Sequence, residues 1–470
     1  MCSMDEFLTS LMPNHGPTQP AWYSGVTKYQ WLVLVIASLG WVFDVFEGQI
    51  FVASMNEAMQ ELLPDASTLS EAQRAGRLSY YNNITFGAFL LGGALGGVYF
   101  GMVADRIGRA KTMVLTIAMY SGFTFLSALS QEWWHLAIFR FLVAIGVGGE
   151  WAVATALVAE VFPKRARAWS LSIFHASSVF GTILAVAAGA FIIAEREFTI
   201  AGFQVSSWRL GFALGMLPAL LIIAIRMKLT VEPDTWKKSR EADGPRTAGR
   251  LSAIFSQELR IRTLVGVTLA AVGLATFWGA HIYGKDTLRQ AIEQEYLADN
   301  SAAPREQVID DNFGSIKRWE MLGMLLVTTG GGLGLLCFGP ISERFGRRPA
   351  FLFFHLAGLI STLVLFQFLT DVRILLVALP IFGFLTLGMH AGYAVYFPEL
   401  FPTHVRGTGA GFCFNIGRII AAPILFTAGW MQHDWGYSLR DTASLLSVLF
   451  LVGVAVLFFA PETRGTELPE

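Results

Sequence analysis

Charge is scarce in this chain. Of its 470 residues only 15% are Asp, Glu, Lys or Arg, against about 25% in an average soluble protein. The formal net charge of -1 offers nothing to a polyanion, so no nucleic-acid partner is expected. Cysteine is scarcer still. Cys2, Cys337 and Cys413 are too few and too scattered for a disulfide framework or a metal cluster, and two of them lie inside apolar runs, where a thiol behaves as a small hydrophobe. His, Glu and Asp do not cluster at metal-ligand spacing, and no nucleophile elbow or nucleotide loop is present. The glycine runs GGALGG (92–97) and GGGLG (330–334) sit inside apolar segments and not after a strand, so neither reads as a phosphate cradle. An enzyme and an ATP-driven pump are therefore disfavoured, and neither cofactor nor metal is expected.

Apolar residues fill the space that charge leaves. They make up 54% of the chain, and the mean hydropathy is +0.52. Long apolar runs recur near 29–53, 80–103, 112–129, 134–161, 168–194, 208–228, 262–283, 320–341, 350–369, 374–400, 408–430 and 442–460. Each is close to the ~20 residues that carry a helix across the hydrocarbon core, and only helices or closed barrels satisfy their backbone there. The runs are continuous and not alternating, so the expected fold is an all-α membrane protein of about twelve transmembrane helices. The first run is too long for a signal peptide and follows a polar stretch. Lys and Arg concentrate in alternate connections, at Arg106, Arg109 and Lys111, at Lys164, Arg165 and Arg167, at Lys237, Lys238, Arg240 and Arg250, at Arg344, Arg347 and Arg348, and at Arg406. This positive-inside pattern places both termini in the cytoplasm. The connections near 55–78 and 285–318 read as long outer loops.

The chain also repeats itself. GMVADRIGRAK from Gly101 answers GPISERFGRRP from Gly339, and AEVFPKRARA answers PELFPTHVRG, with Glu160 and Pro163 matching Glu399 and Pro402. Two similar halves are a sign of a two-bundle transporter. The expected parts are a cytoplasmic segment 1–28, a six-helix bundle 29–230, a cytoplasmic linker 231–260, a second six-helix bundle 261–460 and a tail 461–470.

Gly101, Asp105, Arg106, Gly108 and Arg109, with Lys111 one place late, resemble the G-x-x-x-D-R-x-G-R-[RK] loop of the major facilitator superfamily. Gly339, Glu343, Arg344, Gly346 and Arg347 resemble its second copy, with Glu in place of Asp. The resemblance implies two pseudo-symmetric six-helix bundles and alternating access, with these loops as a gate that latches the cytoplasmic side. RFLVAIGVGGEW (140–151) is similar to the fourth helix of proton-coupled members, its GGEW ending to carboxylate and aromatic-acid symporters. VEPDTW and APETRG are similar to sugar-porter signatures.

A charge at the bilayer centre costs about 2.5–3.5 kcal/mol on insertion scales, so intramembrane charges have a functional reading by default. Asp44 and Glu47 share one helix face by their i, i+3 spacing. Asp44 lies roughly 22 Å into the first run at 1.5 Å per residue, and Glu150 at a similar depth in the fourth. Burial and mutual repulsion favour their protonated forms, which suits groups that pick up and release a proton. Asp44, Glu47, Glu150 and Arg140 are the proton-coupling candidates, with an acid locked in a pair with Arg140 as the structural alternative. In the second half His281, His390, Asn415 and Arg418, with the aromatics Trp151, Trp278 and Tyr393, are the substrate-binding candidates.

The expected function is proton-coupled symport of a small organic anion, a mono- or dicarboxylate or an aromatic acid, by a monomer in the inner membrane of a bacterium. The competing expectations are a sugar or polyol porter and a non-transporting solute sensor. Its partners would be the solute, protons and the lipid bilayer.

Overall fold

The computed structural model describes residues 21–63, 71–188, 192, 197–200, 202–217, 236–238, 241, 249–281, 283–301, 303–433 and 437–469. Part of the expected linker (231–235, 239–240 and 242–248), much of the sixth span and Cys2 lie outside the described residues. The first half is built from α1 (Lys28–Leu62), α2 (Glu71–Ile107), α3 (Arg109–Ser127), α4 (Trp133–Val161), α5 (Lys164–Ala176) and α6 (Ser178–Ala188). The antiparallel hairpin β1 (Glu197–Ile200) and β2 (Phe203–Ser206) follows, then α7 (Ser207–Leu214). The second half contains α8 (Arg260–Thr276), α9 (Gly284–Asp299), α10 (Arg305–Asp311), α11 (Phe313–Phe345), α12 (Arg347–Phe368), α13 (Val372–Leu387), α14 (Met389–Leu400), α15 (Arg406–His433), α16 (Leu439–Ser447) and α17 (Leu449–Val456). Among the described residues eight segments are long and apolar enough to cross a membrane. The remaining long helices complete an all-α, two-bundle membrane fold.

Local chemistry sets the helix ends. Thr27 and Gln30 form a reciprocal capping box at the start of α1, which satisfies two otherwise unpaired backbone donors. Gln30 Nε2 also donates to Val161 O at 2.8 Å, tying that start to the end of α4. The two glycine runs work at equivalent places. A Cβ on Gly96 would lie 2.0 Å from Ile145 O of α4, and one on Gly330 would lie 1.9 Å from Pro380 O of α13. Only glycine allows these backbones to meet.

Two expectations about the connections read as outer loops are corrected. The stretch near 55–78 is largely helix, because α1 continues to Leu62 and α2 begins at Glu71. The stretch near 285–318 is also helical, in α9, α10 and the start of α11. Leu288, Ala291 and Ile292 of α9 are buried at i, i+3, i+4 spacing, the mark of an amphipathic helix. The hairpin was not expected at all.

At the end away from the motif loops, Glu61 of α1 accepts from Ser206 Oγ (2.5 Å), Trp208 Nε1 (2.6 Å) and Arg209 Nη2 (2.8 Å). Partial burial raises the Glu61 carboxyl, but the three donors outweigh it and hold the group below its usual value of 4.5. A depressed carboxyl stabilises the fold above its unfolded pKa, and the contribution disappears as pH falls through the depressed value. Glu61→Gln should therefore lower the melting temperature at pH 7, and wild type and variant should converge as the medium is acidified below that usual value. Melting curves at several pH values check this; a difference that is constant with pH would refute it.

Candidate functional site

Both motif loops turn on a left-handed glycine. Gly108 (φ 110°) separates α2 from α3, and Gly346 (φ 106°) separates α11 from α12, a backbone region that favours glycine. Each turn throws an arginine back onto a helix of its own half. Arg109 grips Glu160 at 2.8 and 3.3 Å, and Arg347 grips Glu399 at 2.9 and 3.1 Å. These are bidentate pairs, the strong form of the interaction.

The copies then diverge. Asp105 reaches the start of α15 in the other half, accepting from Gly407 N (3.0 Å), Thr408 N (2.8 Å) and Thr408 Oγ1 (2.6 Å). It thus holds both Arg109, at 2.8 Å, and the positive end of a helix. Glu343, its counterpart, stays with Arg347 of its own half at 2.9 Å. Glu462 of the tail accepts from the backbone N–H groups of Arg347 and Arg348. Arg406 of α15 crosses to Glu160 at 2.7 Å, so one carboxylate of the first half serves two arginines, one from each half. Arg106 turns instead to Gly249 O, and Arg344 lies over the ring of Phe345. Gly339 lies against α5, where an added Cβ would come 2.6 Å from Ala168 O. Gly101 lies against Gly407 in the same way, at 2.5 Å. The two halves are thus joined at the motif-loop end. Glu160, Arg406 and Thr408 were not singled out as gate residues from sequence, although the repeat that pairs Glu160 with Glu399 was the available signal.

Deeper in the first half, the acids separate into different environments. Glu47 pairs with Arg140 and accepts from Thr124 at 2.9 Å. Arg140 is fully buried and lies over Phe51, Phe89 and Phe212, with Phe51 at 4.2 Å. Such cation–π contacts contribute about 0.5–2 kcal/mol each. Arg140 is therefore held by Glu47 and three rings inside one bundle. Glu150 accepts from Thr116 Oγ1 at 2.5 Å, while its other oxygen abuts the backbone of Gly40 and has no partner. Asp44 is 2% exposed and, among the described residues, neither of its oxygens has a hydrogen-bond partner. Its charged neighbours are Glu150 and Glu47 of its own half and Arg418 of the other. Tyr120, which sequence reasoning missed, adds a buried hydroxyl beside these acids.

In the second half the candidates spread over three helices. A π-helical turn, Phe277–His281, follows α8, an irregularity common at functional sites. His281 shares a 2.7 Å hydrogen bond with Thr386 and is stacked between Phe277 and Phe382. The side chain of Trp278 lies outside the described residues. His390 and Tyr393 are buried neighbours on α14, with His390 Nε2 and Tyr393 Oη unpartnered among the described residues. Arg418 is half-buried and covers the ring of Phe414 at 5.3 Å. Trp151 is not a cavity-lining side chain in this structure. It is 1% exposed, stacked on Phe414 of the other half at 4.1 Å, and donates to His175 Nδ1 at 3.3 Å. A flat ring already occupies the face that was expected to receive solute, and the stack seals the seam below Arg418.

A transporter is the protein class that fits twin bundles, a latch joining them at one end and buried charges at mid-depth. The Major Facilitator Superfamily model matches residues 31–423, and the chain belongs to that family. It is an integral, multi-pass membrane transporter of small solutes and not an enzyme. It is 28% identical over 445 residues to a probable 4-methylmuconolactone transporter of Cupriavidus pinatubonensis, covering 95% of this chain and 94% of that one. It is 27% identical to the cis,cis-muconate transport protein of Acinetobacter baylyi, over 80% and 85% of the two chains. Its fold is similar to that of the proton:xylose symporter XylE, with a TM-score of 0.69 at 17% identity over 94% of this chain and 98% of that one.

Proposed function

We propose that the protein is a proton-coupled symporter of a small organic acid, a mono- or dicarboxylate or an aromatic acid. The observation that carries this reading is Asp44, a buried carboxylate without a hydrogen-bond partner, set near a cation, Arg418, contributed by the opposite half. A buried acid without donors exchanges protons more readily than one fixed in a pair. Glu47 is fixed by Arg140, so the coupling role narrows to Asp44 with Glu150 beside it. Arg418 supplies the charge that an organic anion needs. The names of the relatives that carry muconate and methylmuconolactone fit an acid substrate.

In this reading the motif-loop end faces the cytoplasm and is shut in the present state. Proton and acid enter from the other side, and both leave when the latch at Asp105 and Glu160 parts. The bundle limits proposed are 29–230 and 261–460, in a monomer in a bacterial inner membrane.

Proteoliposomes test the reading. One proton with a monoanion is electroneutral, so only the pH gradient drives uptake, at about 1.4 kcal/mol per pH unit. A neutral sugar with a proton would also gain about 2.3 kcal/mol per 100 mV. Acid uptake that follows pH and ignores voltage is expected. Voltage-driven uptake of a neutral sugar, or flux that ignores both gradients, would overturn the proposal.

A further inference from the structure

The glycine run of α2 does more than let helices approach. Gly96 faces α4 of its own half, but Gly93 and Gly97 face α15 of the other. A Cβ on Gly93 would lie 2.9 Å from Arg418 Nη1, and one on Gly97 would lie 1.7 Å from Asn415 Nδ2. The two missing side chains are the places where Arg418 and Asn415 cross the boundary between the bundles. Gly93 and Gly97 sit about one turn apart, roughly 6 Å of axial rise, and Asn415 and Arg418 about 4.5 Å apart along α15. Substituting Gly97 would expel Asn415, so the seat and its occupant form one unit.

The chemistry of the pair is specific. Asn415 Nδ2 donates to Gly411 O at 2.9 Å, which orients the amide: the nitrogen faces a carbonyl, and Oδ1 therefore points the other way. That Oδ1 is buried and, among the described residues, has no donor. Arg418, one turn further from the motif-loop end, carries a cation whose described contact is the face of Phe414. The seam therefore offers a cation first and a hydrogen-bond acceptor second, in the order met by a solute moving toward the motif-loop end. A bare carboxylate satisfies only the first.

We propose that Arg418 and Asn415 form a two-point anchor that selects acids carrying a hydroxyl or N–H donor two to four bonds from the carboxylate carbon. This deepens the acid-symport reading and rests on it for the carboxylate. Asn415 is reached as α2 and α15 part, the movement that transport requires. Its acceptor then gains the donor it lacks in the closed seam, and a hydrogen bond of this kind separates substrates that differ by one hydroxyl.

The test is a titration of the purified full-length protein, followed by tryptophan fluorescence, with three matched pairs: malate and succinate, 3-hydroxybutyrate and butyrate, 3-hydroxybenzoate and benzoate. The hydroxylated member of at least one pair should bind roughly tenfold more tightly, the size of one net hydrogen bond. Asn415→Leu should erase that preference and keep the affinity of the plain acid, whereas Arg418→Gln should weaken both members alike. Should Asn415→Leu fail to give a single size-exclusion peak, the wild-type ratio together with Asn415→Ser decides. Equal affinities within every pair, no binding of any of the six, or a preference that survives at Asn415→Leu would overturn the anchor. Loss of the proton-symport reading is seen separately, as acid binding without pH-driven uptake.

Discussion

Asp44→Asn is expected to abolish pH-driven accumulation of the acid while leaving acid-for-acid exchange in place. With one proton per monoanion, a gradient of one pH unit supports about tenfold accumulation, and the variant should fall to none. Asparagine has nearly the shape of the protonated carboxyl but no proton to give up, so the carrier is held in its loaded form. Exchange, which never requires the unloaded carrier to return, survives. Asp44 has no hydrogen-bond donor to lose on substitution, which separates a coupling defect from a folding defect. Glu150→Gln gives a graded comparison. Its carboxylate already accepts from Thr116, an acceptor that glutamine retains, so a smaller loss is expected there. Exchange and accumulation measured side by side in proteoliposomes decide between them. Accumulation that survives at Asp44→Asn but fails at Glu150→Gln would move the coupling role one helix over, and survival in both would remove it from this cluster.

Glu47 is the contrasting case. Its partner Arg140 lies 93 positions away in sequence, and replacing one member of a buried pair leaves the other charge without compensation, at a cost of about 3–5 kcal/mol. Glu47→Gln should therefore cost folding before it reveals anything about transport.

That contrast marks how far the sequence can be read. Asp44 and Glu47 are three residues apart on one helix face, at depths that composition cannot distinguish. The partner of the second is on another helix, and the lack of a partner for the first is a fact of the packed interior. Depth in an apolar run identified both as costly; only three-dimensional contact sorts them. The motif loops were legible because their chemistry is local: a glycine turn and an arginine within a few residues recur at Gly108 and Gly346. The reach of Asp105 to Gly407 and Thr408 spans about 300 positions, and no spacing rule records it. Trp151 misled for the same reason. Its aromatic ring suits a solute, but Phe414 from the other half already covers it. The helices in the stretches read as outer loops were missed through polarity: α9 is charged enough to read as a loop, although its buried Leu288, Ala291 and Ile292 follow the helical period.

The asymmetry of the two motif copies leads to the second large effect. Glu160→Gln should open the motif-loop end, and Glu399→Gln should not. Glu160 holds Arg109 of its own half and Arg406 of the other, so its loss leaves Arg109 with Asp105 alone, takes the carboxylate partner from buried Arg406 and removes an ion pair that crosses the boundary. A cost of even about 3 kcal/mol to the closed state shifts the ratio of closed to open by more than about a hundredfold. Glu399 makes its hydrogen bonds to Arg347 and Thr463 of the second half and meets Arg167 of the first half only as a neighbouring charge, so its loss removes no hydrogen-bonded ion pair across the boundary and should favour the open position far less. A reporter thiol can read the difference. Ala152 lies in the sealed seam, its Cβ 3.1 Å from where a side chain on Gly411 would begin. Ala152→Cys in a cysteine-free background should react with a membrane-impermeant maleimide from the motif-loop side when Glu160→Gln is present. It should stay protected with Glu399→Gln and in the parent. Protection that persists with Glu160→Gln would show that the Asp105 contacts with Gly407 and Thr408 suffice to hold the end closed. Equal labelling in both variants would mean that the gate senses the stability of the bundles and not the Glu160–Arg406 pair that crosses between them.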